Sequence, residues 1–486
     1  MSAPRLLGAL GLIVVGAVNS ACSGDDEDPP RKPPEFPATN DMMNWIQLIT
    51  EQGIRRAGYP ANQWTENWTA QQFRKLGLKD VALEPVQAVT WMPSSCALEV
   101  WSDVAPAETT NLPCFHVPYT TLSADVVLPL AELADGDVTG KAAVVTATFL
   151  TLPQTAMITF SNRHYDPTGE FQTMNQTLPF TPKIMNVLEP SIEAGASAFI
   201  GVLDVPWETH DYFVPYDAHM RPIPGVWISK SVGAQLRAVM ARGAASVRVK
   251  VDSTAPTVET YNIVGTLPGA TTDSVIFGSH HDGPWASAVE DASGIALVLA
   301  QAKYWSEVPR AKRPFTFKFV LQAAHVAGYP GAARYVEDHQ AELAQTIVEI
   351  HLEHVARLCE GRDGVLVPTD EPEVRWWFTS ESKSLEDAVE HAIIEQGLER
   401  SLIIGPNGFP PGTEAPPTDG SRFHLAGVPI MNFLTAPMYL FDSQDTIDKV
   451  HEPSLLPISR AVVSMVEQLR GHTAASIRAE LPPAAE

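Results

Sequence analysis

From Asn262 onward the chain alternates short apolar runs of strand character with longer amphipathic stretches, and this alternation constrains its fold more than any other feature. Strands are expected at Val275-Ile-Phe277, at the every-second-residue pattern Phe315, Phe317, Phe319, Leu321, at Ile347 to Leu352 and at Val428 to Leu434. Helices are expected from Ser293 to Trp305, Gly331 to His339 and Ser384 to Gln396, with a last one from Pro453 to Leu469. Strands alternating with helices imply an α/β fold, an open, mostly parallel twisted sheet covered by helices on both faces. Ligands of such sheets bind beyond the carboxyl ends of the strands, so polar residues there are the first candidates for chemistry.

Upstream, Asp41 to Thr50 and Asn62 to Leu76 read as two helices separated by Gly58, Tyr59 and Pro60. Residues 118–254 differ, with many short Val-rich and Ala-rich strands such as Ala142-Ala-Val-Val145, Ala198-Phe-Ile200 and Ser246-Val-Arg-Val-Lys-Val251. The chain therefore divides into an α/β domain of residues 40–117 and 255–475, a β-rich insert of residues 118–254 and a tail of residues 476–486. At 486 residues with 45% hydrophobic side chains the chain can bury such domains, and a formal net charge of −24 leaves no basic face for nucleic acid or an anionic membrane surface.

The first residues carry Arg5, an uncharged apolar run from Leu6 to Val18, then Ser20, Ala21 and Cys22. That order reads as a secretory signal over residues 1–22. The run is too short to cross a hydrocarbon core of about 30 Å, and an acidic, Pro-rich tether follows over residues 23–39. With its cysteine directly after the small residues, the segment resembles a bacterial lipoprotein signal. The resemblance implies export to the cell envelope and lipid on Cys22, with membrane contact only through that anchor; plain secretion is the alternative. In an oxidising compartment Cys96 and Cys114 could pair, leaving Cys359 as the odd thiol.

The residues richest in chemistry are Gly278-Ser-His-His-Asp282 at the end of an expected strand and Glu290-Asp-Ala-Ser-Gly294 at the opening of a helix. A ligating imidazole needs an acceptor to fix its tautomer, and Asp282 lies two residues from His280. Further on come Gln322-Ala-Ala-His325-Val326, then Ile350-His-Leu-Glu353-His354, Thr418-Asp-Gly-Ser-Arg-Phe423 and Phe441-Asp442-Ser-Gln-Asp-Thr446. Together these resemble the zinc-dependent aminopeptidases (metallopeptidase family twenty-eight), with residues 118–254 resembling the protease-associated domain inserted in that family. The resemblance implies that His280, Glu290 (or its neighbour Asp291) and Glu353 correspond to one zinc site, with Glu290 at the position of an aspartate that bridges two ions. At the position of the family's base stands His325, which could act as a base, swing in as a ligand, or only fill the gap.

The second zinc site departs from the family. Val326 and Phe441 replace its glutamate and histidine, so that site needs Asp442 to swing in; at most one tightly held zinc ion is expected. The implied activity is hydrolysis of an amide bond in a peptide or small amide substrate, with Asp282 and His325 serving catalysis. A non-catalytic binding module is the alternative reading. There is no Gly-x-Ser-x-Gly elbow for a serine nucleophile and no Gly-rich phosphate loop after a strand.

Overall fold

The computed structural model describes residues 33–179 and 187–483. The expected signal, Cys22 and most of the tether lie outside the described residues. Helices Thr39–Thr50 and Pro60–Lys75 open the described chain, close to the two read from the sequence. They lead into a nine-stranded sheet in the order Lys79–Val89, Thr257–Leu267, Thr316–Gln322, Ser274–His280, Thr346–Leu352, Ile430–Thr435, Arg375–Thr379, Ser401–Ile404, Ser161–Tyr165. The four strands from Thr316–Gln322 to Ile430–Thr435 are mutually parallel, and antiparallel pairs flank them on both sides.

Each of those four parallel strands is buried along nearly its whole length, which is why they read as continuous apolar runs interrupted only where polar side chains gather at one end. Behind them, helix Gly294–Glu307 is buried on every side from Gly294 to Ala302. A helix apolar all round belongs inside a protein, and this one packs between the sheet and helices Thr39–Thr50 and Glu452–Gln468. Gly278 has no room for a side chain, because a Cβ there would lie 2.4 Å from Glu349 Oε1 and 2.7 Å from His351 Nδ1.

A second, eight-stranded sheet orders as Thr110–Leu112, Met92–Ser102, Ala245–Thr254, Ser123–Glu132, Ala142–Thr148, Ala198–Asp204, Gly225–Ser229, Phe115–His116. Its own core runs through Leu98, Val144, Ile200, Val226 and Val247. This sheet takes in residues from Met92, well before the 118 boundary read from the sequence, because Met92–Ser102 pairs along its length with Ala245–Thr254. Conversely, Ser161–Tyr165 leaves the insert to pair with Ser401–Ile404 at the edge of the first sheet. The strands Arg375–Thr379 and Ser401–Ile404 were not apparent in the sequence pattern. No helix among the described residues is long and apolar enough to cross a membrane.

Cys96 and Cys114 form a disulfide across 18 residues, tying the strand Met92–Ser102 to the chain entering Phe115–His116. Cys359 is free and buried. Replacing both bridged cysteines with serine is expected to lower stability by about 3 kcal/mol, from the chain entropy of a loop of this length; the shift in the urea unfolding midpoint measures it.

Candidate active site

At the carboxyl ends of the parallel strands, four imidazoles and six carboxylates meet in a space shut off from solvent. His280, Asp282, Glu290, Asp291, Glu349, His351, Glu353 and Asp419 have no exposed surface, and His325 and His354 almost none. Ionised groups are tolerated at such depth only when paired, hydrogen-bonded or bound to metal.

His280 ends the strand Ser274–His280. Its Nδ1 donates to the carbonyl of Asp282 at 3.1 Å and lies 3.6 Å from that residue's carboxylate, which leaves Nε2 as the lone-pair nitrogen. This Nε2 has no hydrogen-bond partner and lies 3.6 Å from Glu290 Oε1. Burial and the nearby His325 oppose protonation of His280, but Asp282, Glu290 and Asp291 outweigh them and hold its pKa above the ordinary value. Asp282 also accepts from the backbone N–H groups of His325 and Val326 at 2.9 and 3.1 Å. Against the cost of burial, its hydrogen bond and charge contact with His280 bring its pKa down to about 2.

Glu290 sits in a wide turn that precedes helix Gly294–Glu307. The turn is strapped from both sides: Asp445 accepts from the N–H groups of Val289 and Glu290, each at 2.9 Å, and the Arg55 guanidinium donates to the carbonyls of Ala286, Ser287 and Glu290. The Glu290 Oε2 is in close contact with His354 Nε2, while Oε1 faces His280 and His325. Asp291 turns the other way. Its carboxylate contacts the Ser279 hydroxyl and accepts from the N–H groups of Gly294 and His354, so it braces the backbone, with one oxygen 3.9 Å from His280 Nε2.

His325 stacks on His280 with ring centroids 3.9 Å apart, and its Nε2 is 3.7 Å from the same Glu290 Oε1. Its Nδ1 donates to Asp419 Oδ2 at 2.7 Å. Burial opposes its charge, yet Asp419, Glu290 and Glu353 push its pKa up to about 10. Glu349, His351 and Glu353 alternate along one face of their strand, with the His351 ring donating to Glu349 Oε1 at 2.9 Å and to Glu353 Oε1 at 2.8 Å. Glu353 Oε2 remains without a hydrogen bond and faces the cluster.

Asp442 does not join these residues. Its carboxylate accepts from Trp207 Nε1 at 3.2 Å and from the N–H of Gln444 at 2.8 Å, so the expected swing into the second site is replaced by a contact with the insert. Phe441 and Val326 are buried, and Phe441 stacks on Tyr216 at 4.8 Å, filling space with apolar surface. Strict strand alternation would point His354 away from Glu353, yet it faces Glu290. The strand ends at Leu352 and His354 adopts a left-handed φ of 51°, which breaks the alternation. Asp419 was missed as well; the only signal was its place in the Thr418–Phe423 loop.

Two trios bring one ligand atom each to within 4.8 Å of one another: His280, Glu290 and His325, and His325, Glu353 and Asp419. In a tetrahedral zinc site with bonds of 2.0–2.2 Å, ligand atoms stand about 3.4 Å apart. The 3.6 and 3.7 Å separations around Glu290 Oε1 match that spacing closely, and the unpartnered His280 Nε2 and Glu353 Oε2 are the orphaned atoms that a cation would satisfy. The donor set fits a metal ion.

A mixed sheet carrying buried imidazoles and carboxylates at its strand ends is an arrangement able to hold a metal ion. The sequence profile of Peptidase family M28 matches residues 262–466, a little under half of the chain. Its fold is similar to that of a zinc aminopeptidase from Bacillus subtilis (TM-score 0.63, 18% identity, covering 92% of this chain and 99% of that one). A Peptidase M28 precursor from Shewanella amazonensis SB2B gives a TM-score of 0.65 at 19% identity, covering 92% and 95%. An aminopeptidase from Aneurinibacillus sp. strain AM-1 gives 0.58 at 20%, covering 89% and 93%. No curated protein sequence matches the chain.

Removing the charge of Asp419 with Asp419→Asn is expected to destabilise the metal-free protein by about 3–5 kcal/mol, the usual loss when one partner of a buried pair is removed. The pH dependence follows from a folded-state pKa for His325 of about 10, above its ordinary 6.5. The stabilisation is complete below pH 6.5 and disappears as pH rises through 10, so the gap between wild type and variant in urea unfolding narrows over that interval.

Proposed function

We propose that the chain is an exported metallopeptidase that hydrolyses an amide bond of a peptide, with a single zinc ion centred on His280 and Glu290. The observation that carries this reading is the convergence of His280 Nε2 and His325 Nε2 on one oxygen of Glu290, at 3.6 and 3.7 Å. When bound there, zinc would polarise the substrate carbonyl and lower the pKa of a water molecule. The protein's own residues do the rest. Asp282 fixes the His280 tautomer, and Arg55 and Asp445 hold the Glu290 turn in place. His325 and Glu353 face the same space and divide between them the roles of third ligand and proton acceptor. The rings of Tyr216, Tyr329 and Phe441 gather over His325 and exclude water from that side.

In this reading residues of the β-rich insert form a protease-associated domain whose loop, carrying Trp207, Phe213 and Tyr216, shapes access to the cleft. The signal-like N-terminus delivers the protein to the bacterial envelope, anchored by lipid on Cys22. A non-catalytic peptide-binding module is the competing reading, and one observation favours it: Val326 and Phe441, at the positions of two metal ligands in the family that the sequence resembles, are buried apolar side chains.

Metal analysis combined with an aminopeptidase assay separates the two. The expected result is one equivalent of zinc per chain with measurable turnover, both lost in His280→Ala. Sub-stoichiometric zinc that does not change in His280→Ala would defeat the metalloenzyme reading, and two equivalents would defeat the single-ion one. For the anchor, Cys22→Ser is expected to move the protein from the membrane pellet to the soluble fraction of cells expressing it; a wild type already soluble would refute lipidation.

A further inference from the structure

Resting on the metallopeptidase reading above, we infer that His325 is the third metal ligand, through Nε2, and that Glu353 is left to accept the proton from water. The centre is then a site of two imidazoles and one carboxylate, His280, His325 and Glu290, for one divalent cation of zinc's borderline character.

Three features of geometry support this division. The two imidazole rings lie parallel, interplanar angle 13°, with centroids 3.9 Å apart, and each presents Nε2 to the same Glu290 Oε1. The 3.6 and 3.7 Å separations are near the ligand spacing of a zinc site, and one ligand atom from each of the three residues lies within 4.8 Å of the others. Next, each ring has its Nδ1 proton committed elsewhere, His280 to the carbonyl of Asp282 and His325 to the carboxylate of Asp419. An acceptor on Nδ1 is what directs Nε2 to a metal and raises its basicity as a ligand. Asp419 is therefore a positioning residue, acting through His325.

The third feature is what Glu353 lacks. Its Oε1 is held by His351 Nε2 at 2.8 Å, which fixes the carboxylate's direction, while Oε2 is fully buried and without a hydrogen bond. That free oxygen lies 3.7 Å from His354 Nε2, and a Glu353 carboxylate oxygen lies within 4.8 Å of donors of His325 and Asp419. With a metal ion held by His280, His325 and Glu290, Glu353 Oε2 would accept the proton of the attacking water, whose O–H electron pair would stay on its oxygen.

His354 completes the arrangement by occupying the other oxygen of Glu290, so that only Oε1 is free for the ion. Its Nδ1 donates to the Thr435 carbonyl at 2.9 Å, and the Thr435 hydroxyl donates to the His354 carbonyl at 2.6 Å, which fixes the ring against Glu290.

Zinc-edge X-ray absorption on the zinc-loaded full chain, with zinc affinity by chelator competition, tests the assignment. Two imidazoles per zinc are expected in the wild type and one in His325→Gln. In that variant the loss of affinity should exceed the roughly 10–100-fold typical of an outer-shell change. Asp419→Asn should keep two imidazoles and lose affinity within that 10–100-fold range. Glu353→Gln should keep zinc and both imidazoles while turnover collapses. One imidazole in the wild type, undiminished zinc binding by His325→Gln, or loss of zinc in Glu353→Gln would each overturn the assignment and leave the peptidase reading standing. A zinc-supplied wild type that binds none would overturn both. Should His325→Gln fail to fold, the wild-type imidazole count and the Glu353→Gln result still decide.

Discussion

The structure is organised around one carboxylate. Glu290 is wholly buried and neither of its oxygens accepts a well-formed hydrogen bond, so its charge has to be met by the groups around it. Its backbone is fixed from two distant parts of the chain, Arg55 before the first strand and Asp445 near the end. Arg55 is itself fully buried, and burial brings its pKa down to about 10 even with Asp445, Asp291 and Asp282 near it. Helix Gly294–Glu307 leaves the same turn and forms the centre of the core. Core packing and site geometry thus share one support, and a disturbance of the turn reaches both.

The second sheet has a comparable hold on the site. Phe213 donates its N–H to the Phe441 carbonyl, Trp285 donates its ring N–H to the same oxygen, and both rings lie against the Arg56 guanidinium, at 4.4 and 4.9 Å. A guanidinium between aromatic faces is favoured most where water is excluded, and Arg56 is almost fully buried. Through this joint the insert's loop sets Tyr216 over Phe441 and His325. The contact of Asp442 with Trp207 belongs to the same joint, which explains why that carboxylate faces the insert and not the metal-type cluster.

The four parallel strands at the centre of the first sheet were legible in the sequence, since strands buried on both faces read as apolar runs and Phe317, Phe319 and Leu321 kept their alternation. His280, Asp282, Glu290 and Glu353 were legible because each sits at a strand end or helix start in a recognisable local pattern. What escaped depended on contacts between distant residues. Asp419 meets His325 across 94 positions. His354 turns inward only because the strand ends at Leu352 and the next residues bend. Ser161–Tyr165 crosses from the insert to the first sheet, and no local periodicity marks which sheet a strand will join.

The substitutions in the metal-binding pattern make sense as one coordinated change. In the aminopeptidases that the sequence resembles, the residue at the position of Glu290 is an aspartate shared by two ions, so each of its oxygens faces a cation. Here Glu290 Oε2 meets the His354 ring, while Val326 and Phe441 are buried and Phe441 stacks on Tyr216. The extra methylene of glutamate gives the carboxylate the reach to touch His354 on one side while offering Oε1 to His280 and His325 on the other. A second ion at Oε2 would have to displace the His354 imidazole, whose Nδ1 is tied to the Thr435 carbonyl. His325, His354 and the Asp419 pairing therefore act as one unit, in which imidazoles supply the contacts that both oxygens of Glu290 make.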